Sequence, residues 1–241
     1  MTEQPEHLVK SFDAELKRLR GMITDMGGIV EEQLGLAALA ILHRDQDAAT
    51  RAVESDPRVD ALEREIEQFV IRMLALRQPM AADLRLIVAA MKITGDLERI
   101  GDYAANAAKR SIVLSQFPPG FTLSGLGTML RLAQAQLKAI IDAIADNDVA
   151  KAIEVWKGDS ELDDVYNTVF RELITYMMED PRTISACAHL LFIAKNLERV
   201  GDHATNIAEI LHYAVTGTVL TDPRPKADNS AYAVVRPRNQ A

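Results

Sequence analysis

The stretch LERIGDYAANAAK at residues 97–109 returns as LERVGDHATNIAE at residues 197–209. Each copy spaces a glutamate, an aspartate and an asparagine at four-residue intervals: Glu98, Asp102 and Asn106, then Glu198, Asp202 and Asn206. Four residues is just over one helical turn, so each trio predicts a polar stripe along one side of a helix. Between the stripe residues runs an apolar seam of Leu86, Ala90, Ile93, Leu97, Ile100, Ala104 and Ala107, matched by Ala186, Leu190, Ile193, Leu197, Val200, Ala204 and Ile207. The seams must face a helical bundle. At about 100° per residue the acids then point away from it, which predicts an outer acidic face in both copies.

The repeat extends upstream. Asp45 and Asp148 each stand eleven residues before Asp56 and Asp159, which are followed four residues later by Asp60 and Asp163. Both halves thus carry Asp-x3-Asp, a proline, then Glu-x3-Asp-x3-Asn. The apolar spacing predicts helices over about 7–42, Asp45 to Leu76 and Met80 to Leu114, then over about 123–145, Asp148 to Met178 and Pro181 to Val215. No stretch sustains a period of two. The reading is an all-α chain of six helices, arranged as two tandem, similar three-helix bundles from an internal duplication. Phe117-Pro118-Pro119-Gly120 cannot continue a helix and marks the boundary. The expected units are residues 1–117 and 123–216 with a linker at 118–122. Residues 217–241, with three prolines and no helical period, are expected to be a flexible tail.

Composition agrees with this architecture. Hydrophobic residues make up 48% of the 241 residues and aromatics only 5%, a balance that suits helices rich in Ala and Leu. A net charge of −8 works against binding nucleic acid or anionic lipid. The single Cys187 cannot form an internal disulfide, which fits a reducing compartment, and the cytoplasm is the expected location. The N-terminus lacks the apolar core of an export signal, and the longest low-polarity run, LGLAALAIL at 34–42, is too short to span a bilayer.

Carboxylates four residues apart repel one another by a few tenths of a kcal/mol, roughly, in water. Surface ion pairs of Arg99 with Asp102, Arg199 with Asp202 and Lys195 with Glu198 would relieve this in the plainest way. The second helix adds Asp56, Asp60, Glu63 and Glu67 beside a seam of Val59, Leu62, Ile66, Phe69, Met73 and Leu76. Were it to pack antiparallel to the third, acids from both helices would converge into an oxygen-rich cluster with Asn106 as a neutral ligand. Such donors suit hard cations, Mg²⁺, Mn²⁺ or iron, and the lack of a Cys/His cluster argues against structural zinc. The candidate metal ligands are Asp56, Asp60, Glu98, Asp102 and Asn106 in the first copy and Asp159, Asp163, Glu198, Asp202 and Asn206 in the second. Tyr166 and Thr168 replace Glu63 and Glu65 in the second copy, so fewer ions are expected there.

Other constellations carry less. No histidine pair has metalloprotease spacing, no helix carries Glu-x-x-His, and no serine or threonine lies in a nucleophile motif. His203 reads as a surface histidine, Trp156 as a core or interface residue, and Gly27-Gly28 as a kink or close helix contact. No catalytic residue is expected.

With AKNLERVGDHATNIAE and its first-half counterpart in place, residues 5–216 resemble the PhoU family, accessory regulators of bacterial phosphate-specific transport. The family motif, Glu or Asp, three residues, then Asp, reads here as Glu98 to Asp102 and Glu198 to Asp202. The resemblance implies paired three-helix bundles, homodimers and surface metal clusters in some members. It also implies a negative regulator of phosphate uptake and of the starvation response, a non-enzymatic adaptor between the transporter ATPase subunit and a sensor histidine kinase. Arg99 and Arg199 are the partner-binding residues that the matched motif marks out. Two alternatives stand beside this reading: a metal-dependent hydrolase acting on phosphate esters, and a structural adaptor without metal.

Overall fold

A computed structural model describes residues 4–118, 124–224, 226–228, 230 and 233, with side chains from Phe12 onward. The expected linker lies largely outside the described residues. The first unit comprises α1 (Gln4–His43), α2 (Gln46–Glu54), α3 (Asp56–Arg77) and α4 (Ala81–Leu114). The second comprises α5 (Ser124–Asp146), α6 (Val149–Lys157), α7 (Asp159–Glu179), a single 3₁₀ turn at Pro181–Thr183, and α8 (Ile184–Thr216). No strand occurs among the described residues. The fold is all-α, two tandem three-helix bundles in which each middle arm is a short helix followed by a long one.

That break corrects the expectation of continuous helices over Asp45–Leu76 and Asp148–Met178. In the first copy Pro57 occupies the opening turn of α3, where it has no N–H to give and its ring opposes a carbonyl from the preceding turn. In the second copy the break falls at Gly158. Each short helix starts on a side-chain cap: Asp45 accepts from the Ala48 N–H at 2.9 Å and Asp148 from the Lys151 N–H at 3.0 Å. The aspartates eleven residues upstream of the acidic pairs are therefore helix caps. Across each break a glutamine from the first helix of its unit bonds a freed carbonyl. Gln33 Nε2 donates to Ala52 O at 3.0 Å, and Gln136 Nε2 to Gly158 O at 3.1 Å.

One continuous apolar core runs through both units and includes Met26, Val30, Leu34, Leu97, Ile100, Leu137, Ile140, Ile193 and Val200. Burying each large aliphatic side chain stabilises the fold by about 1.5–3 kcal/mol. Both predicted motif seams are buried apart from half-buried Leu86, whereas the α3 seam stops at Met73 because Leu76 is 72% exposed. Helices α4 and α8 cross antiparallel, since Asp96 meets His203 while Arg110 meets His189. Helices α1 and α5 also run antiparallel, with Lys138 near Glu31 and Gly127 near Leu42. A Cβ on Gly27 would lie 2.9 Å from Ile141, so this glycine marks a close helix contact inside an unbroken α1.

Candidate functional site

The antiparallel pairing of the long middle helix with the last helix of each unit brings the predicted acids together, as Asp-x3-Asp at the start of α3 or α7 meets the stripe on α4 or α8. The motif glycine permits this approach. A Cβ on Gly101 would stand 3.0 Å from Gln33 Oε1 and 3.5 Å from Val59, and one on Gly201 would stand 2.6 Å from Leu162 and 3.4 Å from Asp159.

In the first copy Asp56, Asp60, Glu98 and Asp102 are half-buried and Asn106 is exposed. Gln33 donates to Asp56 at 3.3 Å, and Arg99 lies loosely at the rim, 3.6 Å from Glu98 and 3.8 Å from Asp102. Burial, followed by the Asp102 charge, pushes Glu98 above the usual carboxylate range. Burial also raises Asp56, with Asp102 adding to the rise and the Gln33 bond opposing it. Glu63 is raised by burial and by Glu67 and Asp60. These carboxyls face each other with little compensating positive charge. Gln33 is fully buried and its Oε1 has no hydrogen-bond partner among the described residues.

The second copy differs from the predicted outer face. Asp159, Asp163 and Glu198 are buried, at 1%, 3% and 4% exposure, because Arg224, residues 226–228 and Ser230 of the expected flexible tail lie against this face. The Arg224 guanidinium sits among the acids. Its Nε donates to Asp159 Oδ2 at 3.0 Å, Nη1 to Asn206 Oδ1 at 3.1 Å, and Nη2 to Asp202 Oδ1 at 2.8 Å and Asp202 O at 3.0 Å. Lys226 Nζ lies 3.1 Å from Asp202 Oδ1. Asp163 Oδ2 accepts the Ala227 and Asp228 N–H groups at 2.8 and 3.0 Å.

Lys195 joins the tail to the motif. Its Nζ lies 2.8 Å from Glu198 Oε2 and 2.9 Å from Asp228 Oδ2. The expected Lys195–Glu198 pair thus forms, whereas Asp202 takes the tail cations, and Arg199 lies over the Tyr103 ring at 5.6 Å. Burial pushes Glu198 up to about 7, against the pull of Lys195. Where α4 and α8 cross, His203 Nδ1 bonds Asp96 Oδ1 at 2.6 Å, and Tyr103 Oη lies 3.4 Å from its Nε2. The histidine is partly buried between the bundles, not on the surface as expected. Trp156 is buried and donates to Glu209 Oε1 at 2.9 Å.

As donor sets the two copies fit a hard cation differently. The first gathers oxygen ligands and uncompensated negative charge. The second is filled by a guanidinium. Among the described residues no three acid, histidine or cysteine side chains lie close enough to grip an ion without side-chain movement.

The PhoU domain family model matches residues 23–111 and 126–211, one match within each bundle. The chain belongs to the PhoU family. The "Phosphate-specific transport system accessory protein PhoU homolog" of Caulobacter vibrioides (strain NA1000 / CB15N) is 52% identical over 224 residues, 92% of this chain and 97% of that protein. Its namesake from Zymomonas mobilis is 47% identical over 211 residues, 88% of this chain and 89% of that one. The crystal structure of PhoU from Pseudomonas aeruginosa matches with a TM-score of 0.82 at 41% identity, covering 86% of this chain and all of that one. A phosphate transport system regulatory protein PhoU from Streptococcus pneumoniae matches at 0.80 and 30% identity, over 87% and 99%. These PhoU relatives are named as accessory or regulatory proteins rather than as enzymes. No helix among the described residues is long and apolar enough to cross a membrane.

The sequence pattern singled out ten acid and amide positions as candidates and did not single out Gln33, Gln136, Arg224 and Lys226, which the structure places beside them. The glutamines carried a signal: they are separated by 103 residues, as are Asp56 and Asp159. For the tail the available signal was its basic Arg-Pro-Lys run in a chain of net charge −8.

Proposed function

We propose that this chain is an accessory protein of phosphate-specific transport. In that role it restrains phosphate uptake and the starvation response as a cytoplasmic, homodimeric adaptor between the transporter ATPase subunit and a sensor histidine kinase. The observation that carries the proposal is the doubled PhoU motif within a match to accessory proteins over most of the chain. Arg99 and Arg199 support it as partner contacts, because both lie on exposed positions near the α4–α8 crossing. The first acidic cluster, Asp56, Asp60, Glu98, Asp102 and Asn106, holds a divalent or trivalent metal ion in this proposal, with Mg²⁺, Mn²⁺ and iron as the fitting ions. Its open setting on helix faces favours an adaptor over a hydrolase, which would need an enclosed site to restrict water.

Deleting the gene should switch on phosphate-starvation genes in phosphate-rich medium. Complementation with Arg99→Ala plus Arg199→Ala should restore repression only partly while the variant stays folded, since the exposed ion pairs of Arg99 are worth about 0–1 kcal/mol and an exposed cation–π contact like that of Arg199 with Tyr103 about 0.5–1 kcal/mol. Metal-dependent hydrolysis of a phosphate ester by the pure protein, together with intact repression in the deletion strain, would refute the adaptor reading.

A further inference from the structure

The second acidic cluster already holds a cation, and that cation belongs to the chain. Helix α8 ends at Thr216, and Gly217 turns the backbone at φ 76, a left-handed conformation that suits glycine. His212 Nδ1 lies 3.0 Å from Thr218 O and fixes the turn. The chain then doubles back along the bundle. Arg224 reaches Asp159, Asp202 and Asn206, the counterparts of first-copy ligand candidates Asp56, Asp102 and Asn106. Asp163, counterpart of Asp60, receives tail N–H groups, and Glu198, counterpart of Glu98, is tied through Lys195 to Asp228.

All five equivalent positions are thus engaged, directly or through Lys195, by Arg224, Lys226, Ala227 and Asp228. Arg224 and Lys226 together bring the charge of a divalent ion. A guanidinium offers a fixed fork of donors suited to carboxylates. It is also tethered eight residues beyond the end of α8, so its local concentration far exceeds that of a dilute free ion.

We propose that Arg224, with Lys226 beside it, is a built-in cationic plug: Arg224 occupies the second carboxylate cluster and excludes metal ions from it, so that tail binding and metal binding in the second bundle are mutually exclusive. This rests on the reading of the first cluster as a metal site, and the test separates the two. Asp202 Oδ1, an oxygen a metal would need, accepts from both Arg224 and Lys226, and Asp159 is sealed beneath the guanidinium. An ion cannot enter before Arg224 leaves.

The experiment measures Mn²⁺ bound per chain by equilibrium dialysis in four full-length proteins. These are the wild type, Glu98→Gln with Asp102→Asn, that pair with Arg224→Ala, and that pair with Arg224→Lys. Wild type should bind Mn²⁺ at the first cluster, the pair should lose it, Arg224→Ala should restore binding through the second cluster, and Arg224→Lys should restore less. Undiminished Mn²⁺ binding by the pair with its tail intact would overturn the plug, and so would failure of Arg224→Ala to restore binding while wild type binds. Absence of binding in wild type would instead remove the metal reading of the first cluster. In that case Mn²⁺ binding by the Arg224→Ala protein alone would still support the plug, and its absence would overturn it.

A second readout needs no first-cluster metal and covers misfolding of the alanine variant. Trypsin should cut after Lys226 slowly in wild type, at least tenfold faster in Asp202→Asn, and faster in wild type as Mn²⁺ is raised to displace the tail. Equal cleavage of wild type and Asp202→Asn, or a wild-type rate indifferent to saturating Mn²⁺, would overturn the proposal.

Discussion

Replacing Gly201 with alanine tests whether the motif glycine is what lets α8 approach α7 and α5 closely enough to assemble the second cluster. The new Cβ would meet Leu162 Cδ2 at 2.6 Å and Gln136 Oε1 at 2.9 Å. Neither can step aside freely, since Leu162 is 1% exposed and the Gln136 amide is held on Gly158 O. Relieving glycine's backbone freedom in a helix stabilises by about 1 kcal/mol, whereas overpacking a filled core costs about 1–3 kcal/mol. The net expectation for Gly201→Ala is a loss of roughly 1–2 kcal/mol. At Gly101 the closest atom is Gln33 Oε1 at 3.0 Å and the apolar neighbours lie at 3.5 Å or beyond. Gly101→Ala should therefore fall within about 1 kcal/mol of wild type. Urea unfolding followed by far-UV circular dichroism measures both. Adding Leu162→Ala to Gly201→Ala should make the double variant more stable than the sum of the singles predicts, because the clash is with that side chain. Wild-type stability in Gly201→Ala, or strict additivity with Leu162→Ala, would refute the close-approach argument.

The pH dependence of stability should carry the mark of Glu198. Its folded pKa is raised by burial to about 7 from 4.5, so its contribution is fully present below about pH 4.5 and is lost as pH rises through about 7. The urea midpoint should fall over that window, and Glu198→Gln should flatten the slope; an unchanged slope would count against the burial. At the crossing of α4 and α8, Asp96→Asn and His203→Ala should each lower stability by about 1 kcal/mol, and the double variant by little more than either single, since both remove one bond. Full additivity in denaturant titration would show that the 2.6 Å contact contributes nothing as a pair.

The helices and their buried faces were legible because a period near 3.6 is written into residues such as Leu97, Ile100 and Ala104, and tertiary packing simply follows it. The breaks in the middle arms were less visible. Apolar spacing continues past Ser55 and Gly158, and it is the backbone, through Pro57 and the glutamine-bonded carbonyls, that turns there. The stripe's spacing located the acids of both copies. Their exposure depends on what covers them, which a pattern local to one helix does not encode. Arg224 and residues 226–228 lie in a stretch with no helical period and are held by side-chain pairs and backbone N–H groups donated to Asp163, contacts that leave no repeat in the sequence.

The substitutions that separate the two copies make physical sense once the tail is in place. In the first copy Glu63 adds to a set of mutually repelling acids, with Asp60 and Glu67 raising its pKa and only exposed arginines opposing them. In the second copy the same position is Tyr166, buried, with Lys195 Nζ 5.0 Å from its ring and a hydrogen bond to Ser230 of the tail. A glutamate there would face Glu198 and Asp228 at low dielectric, where like charges interact far more strongly than in water. The aromatic ring instead cradles the lysine that joins motif to tail. The missing acid, which on sequence alone reads as a weakened copy of one site, is better explained as part of a seat for a basic segment. Arg224, Lys226 and Lys195 stand in close contact with the acids of the second copy and offset part of the charge of Asp159, Asp163, Glu198, Asp202 and Asp228, while in the first copy Arg99 stands loosely against Glu98 and Asp102. Duplication has thus produced one cluster partly neutralised by the chain's own cations and one left with little compensating charge.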